Sequence, residues 1–397
     1  VSGTKVLVAG ASIAGPALAH WLDRRGAEVT VVERTPGLRP GGQAVDARGI
    51  AKEAIVRMGL DAQVRAARTD TAGAYNVDAD GNVLETFRAD DDGGDGYISE
   101  IEILRGDLSR VLHDDTRDGV EYVFGDRIVE LTQDADGVDV VFDGGDRRRF
   151  DLVIGADGLH SATRAMVFGP REQFIRHLGM VLAFYTVPNE FGVDRWLLDY
   201  QEAGRSAGLR PIGDDAKAMA MLSFPAADFE VDYRDIEAQK RLLREQMADF
   251  GWLTPRILAH LDDAPDFYLD QVAQVVMDRW SSGRVGLIGD AAFSASPMSG
   301  AGTGLALVGA YLLAGELAAA NWDPEVGFAA YEAQMRPYVE ANQEIGRLHV
   351  HSREASEPDA EPTVDFESPY FTELIGRAIN GVELPDYAGV PDSRSRV

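Results

Sequence analysis

The sequence predicts an α/β fold: a parallel sheet wrapped by helices, an inserted antiparallel sheet, and helices at the C-terminal end. Three observations carry this expectation. Between Lys5 and Glu33 an apolar strand, a glycine-bearing turn, a helix and a second strand follow in order, which is a βαβ unit. Two later apolar strands, residues 149–154 and 284–288, end in Gly155-Ala156-Asp157-Gly158 and Gly289-Asp290, as strands of open parallel sheets do where they present residues to a ligand. Between them, residues 172–276 alternate polar and apolar positions in short runs, the period of an antiparallel sheet with two different faces.

The first unit is the most specific. Residues 5–9 read as the strand, residues 10–15 as the turn Gly-Ala-Ser-Ile-Ala-Gly, and the next helix turns Ile13, Ala17, Leu18 and Trp21 inward. Residues 27–32 form the second strand, which delivers Glu33 at its end. Gly10 permits the tight turn, Gly15 lets the helix pack closely, and the helix N-terminus offers free N–H groups to a pyrophosphate. Ser12 stands where such loops have a middle glycine. Glu33 follows Gly15 at the distance where a carboxylate accepts hydrogen bonds from an adenosine ribose. A Rossmann-like dinucleotide site is expected, with the dinucleotide itself still open.

The 397 residues suffice for two or three domains. A formal net charge of -28 argues against a nucleic-acid partner and an anionic membrane surface, since both require a basic face. Without cysteine there is no disulfide, thiolate metal site or cysteine nucleophile. No apolar run is expected to reach the roughly 20 residues that span a bilayer. A structural strand at Lys5 leaves no room for a signal peptide, and a cytoplasmic location is expected.

Residues 35–49, rich in Gly, Pro and Arg, are expected to be irregular, with Gly41-Gly42-Gln43 and Asp46-Ala47-Arg48-Gly49 just beyond the first unit. Arg48 reads equally as a surface charge or as part of a site. A helix over 50–58 stops at Gly59. Residues 74–77 and 82–87 form a hairpin, and the acidic segment 89–96 reads as a solvated loop. A helix is expected from 102 to 115, with Leu104, Leu108, Val111 and Leu112 on one face. Strands follow at 121–124, 128–133 and 137–142. The insertion holds strands at 179–187, 195–201, 205–210 and 216–224, helices at 235–250 and 254–261, and a strand at 267–276. Pro297 and Gly300-Ala301-Gly302-Thr303-Gly304 lead into a helix over 305–320. Helix follows from 325, broken near 352–362 and resumed over 370–379. The expected domains are 1–73, 97–171 and 277–335; 74–96 and 172–276; and a helical segment over 336–397.

Three motifs, Gly10 to Gly15 with Glu33, Gly155 to Arg164, and Gly289 to Gly304, resemble in order and distance those of the group A flavin monooxygenases, aromatic hydroxylases of the para-hydroxybenzoate hydroxylase fold. Gly41 to Asp46, Glu102 to Leu108, Asp157 to Arg164, Ser296 to Ser299 and the extra C-terminal helix are similar to the tetracycline destructases. Related antibiotic and polyketide hydroxylases share much of this.

The resemblance implies a Rossmann-like, GR2-type FAD-binding domain with an inserted antiparallel-sheet substrate domain. It implies that Gly10, Ser12, Ala14 and Gly15 hold the FAD pyrophosphate, that Glu33 with Arg34 beside it meets the adenosine ribose, and that Arg105 neutralises the pyrophosphate. Gln43 and Arg48 belong to the same cofactor set. Asp157 and Gly158 fall where the family contacts FAD phosphates and NAD(P)H, and Asp290 where it binds the ribityl hydroxyls. Pro297, Gly300, Gly302 and Thr303 would sit against the isoalloxazine, whose reduced anion suits a helix N-terminus. Phe293 stands where the family commonly has His.

NAD(P)H would dock transiently as co-substrate. A flavin C4a-hydroperoxide formed with O2 would pass one oxygen atom to a polycyclic oxygenated aromatic, such as a tetracycline. Phe184, Trp196, Arg210, Met219 and Phe224 are expected to line the substrate cavity. No catalytic side chain and no metal are required, and His160 is expected to be a structural neighbour of Asp157. A monomer or weak homodimer is expected. A polyketide-tailoring hydroxylase and a flavin-containing, non-catalytic binder are the alternative readings.

Overall fold

The computed structural model describes residues 3–226, 235–354 and 365–387. The first unit forms as β1 (Lys5–Ala9), α1 (Ala14–Arg24) and β2 (Glu28–Glu33). Ile13, Ala17, Leu18 and Trp21 are all buried, because the 3.6-residue period sets them on one face of α1. The segment expected to be irregular contains β3 (Ala44–Asp46), followed by α2 (Ile50–Met58), α3 (Asp61–Ala66), β4 (Gly73–Val77) and β5 (Val83–Arg88). The helix expected from residue 102 begins later: β6 (Glu102–Leu104) is extended and α4 (Arg105–Thr116) follows. The reason is tertiary, since β6 pairs antiparallel with β3, Asp46 opposite Glu102.

Next come β7 (Glu121–Phe124), β8 (Ile128–Gln133), β9 (Val138–Phe142), β10 (Arg147–Phe150) and β11 (Leu152–Gly155). The single strand expected over 149–154 is therefore two. Asp151 divides them, its carboxylate accepting from Lys5 N at 2.7 Å, so that β10 stays with β9 while β11 joins β1. After α5 (Ala162–Phe168) the insertion supplies β12 (Ile175–Pro188), β13 (Trp196–Glu202), β14 (Arg205–Pro211), β15 (Lys217–Pro225), α6 (Ile236–Met247), α7 (Thr254–Ala259) and β16 (Tyr268–Val275). The chain closes with β17 (Ser281–Ser282), β18 (Val285–Leu287), α8 (Asp290–Phe293), α9 (Gly302–Ala319), α10 (Pro324–Glu354) and α11 (Pro369–Asn380). Of the expected polar break, residues 355–362 lie outside the described residues.

Two large sheets organise these elements. One is six-stranded in the order β17-β18-β11-β1-β2-β7, parallel except at its β17 edge. The other is seven-stranded, β16-β12-β15-β14-β13-β4-β5, so the hairpin β4–β5 extends the inserted sheet. One face of the inserted sheet is closed by α6, α7 and the turn between them through Leu243, Met247, Phe250 and Ile257. α9 differs from the expectation that no apolar run nears membrane-spanning length: it is 18 residues long and mostly apolar, with Glu316 its one charged residue. It is 78% buried and packs on α1, α2 and α10, as the central core helix of a large fold does.

Candidate active site

A cavity of about 1690 Å³ runs from the turn after β1 to the uncovered face of the inserted sheet. Of the sequence-predicted cofactor residues, only Gly15 does not line it. At Gly15 a Cβ would lie 1.8 Å from Gly10 O, so this glycine serves the packing of α1 on the turn. Gly10 has φ +112, and a Cβ there would meet Ala156 O at 2.4 Å. α1 begins after Ile13 without a side-chain cap, which leaves its first N–H groups for a ligand or water. Glu33 faces this end and is held by Ala11 N at 2.9 Å, Thr35 N at 3.0 Å and Thr35 Oγ1 at 2.9 Å. Arg34 lines the same end.

Arg105, the first residue of α4, reaches back to the turn and donates from Nη1 to Ser12 Oγ at 3.2 Å. Among the described residues no carboxylate lies within ion-pair distance of it. Burial, helped by the charge of Arg39, holds its pKa down to about 10. A guanidinium kept from water without a carboxylate calls for an external anion. Gly42, φ +85, passes so close that a Cβ would touch Arg105 Nε at 3.0 Å, and Gln43 lies beside it on the cavity wall.

Asp157 also lines the cavity, but its carboxylate is engaged within its own turn. It accepts from Ser161 Oγ, from Thr163 N at 2.9 Å and from Thr163 Oγ1 at 3.0 Å, which fixes the start of α5 and leaves Gly158 in the left-handed region at φ +80. Arg164 is 0% exposed and donates to Ala291 O at 2.8 Å and Leu159 O at 2.7 Å, tying this turn to α8. Asp290, the first residue of α8, opens onto the cavity with protein on its other sides, and that burial pushes its carboxyl up. His160 lies 2.6 Å from Asp270 Oδ2 through Nε2.

Arg48 is not a surface charge. It pairs with Asp46 at 3.0 Å and donates to the carbonyls of Gly96 at 3.2 Å, Tyr97 at 3.1 Å and Gly300 at 3.2 Å, drawing three segments together at the cavity. Pro297, Gly300, Gly302 and Thr303 line the opposite wall. There α9 starts after Ala301, again without a side-chain cap, so a second helix N-terminus meets the cavity.

At the inserted sheet, Phe184, Arg210 and Met219 line the cavity and Trp196 and Phe224 do not. The pleat explains both corrections. Met219 and Met221 of β15 point to the cavity, so Phe224, an odd number of residues away, must take the other face. It is 0% exposed in the core under α6 and α7. Trp196 shares its face with Leu198 and Tyr200 of β13 and stacks on Tyr75, ring centroids 4.2 Å apart.

Several residues of the wall were not anticipated: Asp46, Gln201, Met221, Tyr268, and Phe371 and Ile375 of α11. Pleat parity with Met219 points to Met221, and parity along β13 to Gln201 once one residue of that strand is placed. Nothing local points to Asp46 or Tyr268, whose neighbours come from distant strands.

The FAD binding domain family matches residues 3–344. A flavin-dependent monooxygenase from an unknown prokaryotic organism is 40% identical over 383 residues, covering 96% of this chain and 99% of its own. The chain belongs to the FAD-dependent monooxygenases. An uncharacterized protein of Mycobacterium tuberculosis is 48% identical over 341 residues, 85% of this chain and 91% of its own. Among solved structures, the tetracycline destructase Tet(55) superposes with a TM-score of 0.86 at 38% identity, over 97% of this chain and 99% of its own.

The monooxygenase fits its cofactor by its own residues. Two uncapped helix N-termini and an Arg105 lacking a carboxylate suit the diphosphate and an anionic ring. Gly10 lets the turn pass close against Ala156, where there is no room for a Cβ, and so holds the start of α1 open to the cavity.

Proposed function

We propose that this monooxygenase consumes NAD(P)H and O2 to insert one oxygen atom into a polycyclic oxygenated aromatic of the tetracycline type. In this reading the six-stranded sheet carries FAD and the seven-stranded sheet carries the substrate. The observation behind it is the continuity of the cavity: the glycine turn, Asp290 and the start of α9 share one space with Leu182, Phe184, Met219 and Met221. Bound FAD, reduced by NAD(P)H, supplies the activated oxygen. The chain supplies position and exclusion of water. Apolar side chains of β12 and β15 hold the flat faces of the ring system, and Arg210 and Gln201 offer donors to its oxygens. The N–H groups at the start of α9 favour negative charge on the neighbouring ring. The overall likeness to a structure named tetracycline destructase supports the choice of substrate class.

The test is direct. FAD-loaded protein is mixed with NADH or NADPH and tetracycline, and cofactor oxidation is followed alongside product mass. Tetracycline should accelerate oxidation and gain one oxygen atom. Acceleration with peroxide release and unchanged tetracycline would sink this reading.

A further inference from the structure

The inserted sheet meets β6 at a buried ion pair. Arg210 of β14 sets Nη1 3.0 Å from Glu102 Oε2, the side chains being 14% and 2% exposed. The other oxygen of Glu102 accepts from the hydroxyls of Thr69 and Thr71, each at 2.6 Å, in the segment that feeds β4. Glu102 therefore holds β14 and the entrance to β4 at once. Directly across the β3–β6 ladder stands Asp46, paired with Arg48 at 3.0 Å. Burial, with Glu102 contributing, pushes the Asp46 carboxyl up. The cavity wall thus carries Arg48, Asp46 and Arg210, and Glu102 stands buried behind Arg210, a formally neutral set of two guanidiniums and two carboxylates.

Such a pair adds little net stability, because desolvating both charges offsets their attraction. Its effect is on freedom. An arginine side chain facing a cavity samples many rotamers, and fixing it on binding costs side-chain entropy. Glu102 fixes Arg210 before any ligand arrives. A free carboxylate entering here would face Asp46 on the wall and an Arg210 whose charge Glu102 already offsets from behind, whereas an enol–ketone array needs only oriented donors.

We infer that Glu102 is a positioning residue for Arg210, and that the pair makes this subsite select enol and ketone oxygens over free carboxylates. The inference rests on the reading that Arg210 meets the aromatic substrate. The experiment compares Glu102→Gln, Arg210→Ala and the double variant, all FAD-loaded, with Glu102→Asp in place of Glu102→Gln should the latter not fold.

Glu102→Gln should raise the KM for tetracycline about tenfold with kcat and FAD content unchanged, and should raise it no further in the Arg210→Ala background. Benzoate should inhibit the variant more strongly than the parent. Phenylglyoxal labelling of Arg210, located by peptide mass, needs no substrate and should run several-fold faster in Glu102→Gln. Equal labelling rates, or an equal rise in KM with Arg210 absent, would overturn the positioning role; unchanged benzoate inhibition would overturn the selectivity. Faster labelling in a protein inert to tetracycline would leave the positioning role standing and remove the tetracycline reading.

Discussion

Arg105 Nη1 lies 3.2 Å from Ser12 Oγ, so the residue that stands in place of the loop's middle glycine anchors the cation that we propose faces the diphosphate. Arg105→Ala should raise the FAD dissociation constant about 10–100-fold, the range for hydrogen bonds to charged groups. The cofactor-free variant should melt no lower than the parent, because a desolvated, unpaired charge is removed with the side chain. Ser12→Gly should weaken FAD by only about fivefold, because Arg105 keeps its charge and loses only one anchor. Fluorescence titration and melting without FAD measure both. A large loss of apo stability in Arg105→Ala would show that the guanidinium serves the fold.

Asp290 gives a pH signature. Its folded-state pKa is raised by burial, so its contribution to stability is full below its unfolded pKa, about 3.9, and falls as pH rises through the folded value. Asp290→Asn removes that penalty. In the cofactor-free protein Asp290 is exposed to the open cavity, where water screens most of the penalty, so the variant should melt only slightly above the parent at pH 7, and the gap should close toward pH 4. FAD should bind about tenfold more weakly. A gap that widens on acidification would reverse the sign of the argument.

The same reasoning shows what the sequence could carry. β1, α1 and β2 were legible because their pattern is local: each apolar side chain has its period set by its own element. Strand ends with Asp157 and Asp290 were legible for the same reason. β6 was not, since Leu104, Leu108 and Leu112 share helical spacing and only pairing with β3 makes Glu102–Leu104 extended. Glu102 and Arg164 fell inside recognised motifs, but the roles they take were not legible, because their partners Arg210 and Ala291 lie far along the chain.

Phe184 and Phe224 separate the two faces of the inserted sheet. Phe184 lies opposite Met221 in the ladder and Phe224 opposite Val181; the first pair lines the cavity and the second is core. Phe224→Ala should cost about 3–5 kcal/mol and lower the melting midpoint without altering the KM of the folded fraction. Phe184→Ala should raise KM about tenfold for an aromatic substrate, through lost ring contact, with a smaller change in melting. Interchanged phenotypes would mean that the sheet presents its other face to the substrate.

Arg164 does not line the cavity, yet it ties together two segments that do. Its guanidinium bridges Leu159 O after the Asp157 turn and Ala291 O in the Asp290 helix, so two ligand-facing motifs share one rigid strut. Arg164→Met fills similar space but leaves the buried Ala291 carbonyl and the part-buried Leu159 carbonyl without this donor, a penalty of about 1–3 kcal/mol. With the strut gone, Asp290 and the Asp157 turn can move apart, and FAD content should fall along with the melting midpoint. Arg164→Lys places one ammonium where a two-pronged donor stood, and should recover part of the stability and part of the flavin. The absorbance ratio of bound flavin to protein, read beside the melting curve, decides the matter: an Arg164→Met protein that melts early but binds FAD as tightly as the parent would confine Arg164 to the core.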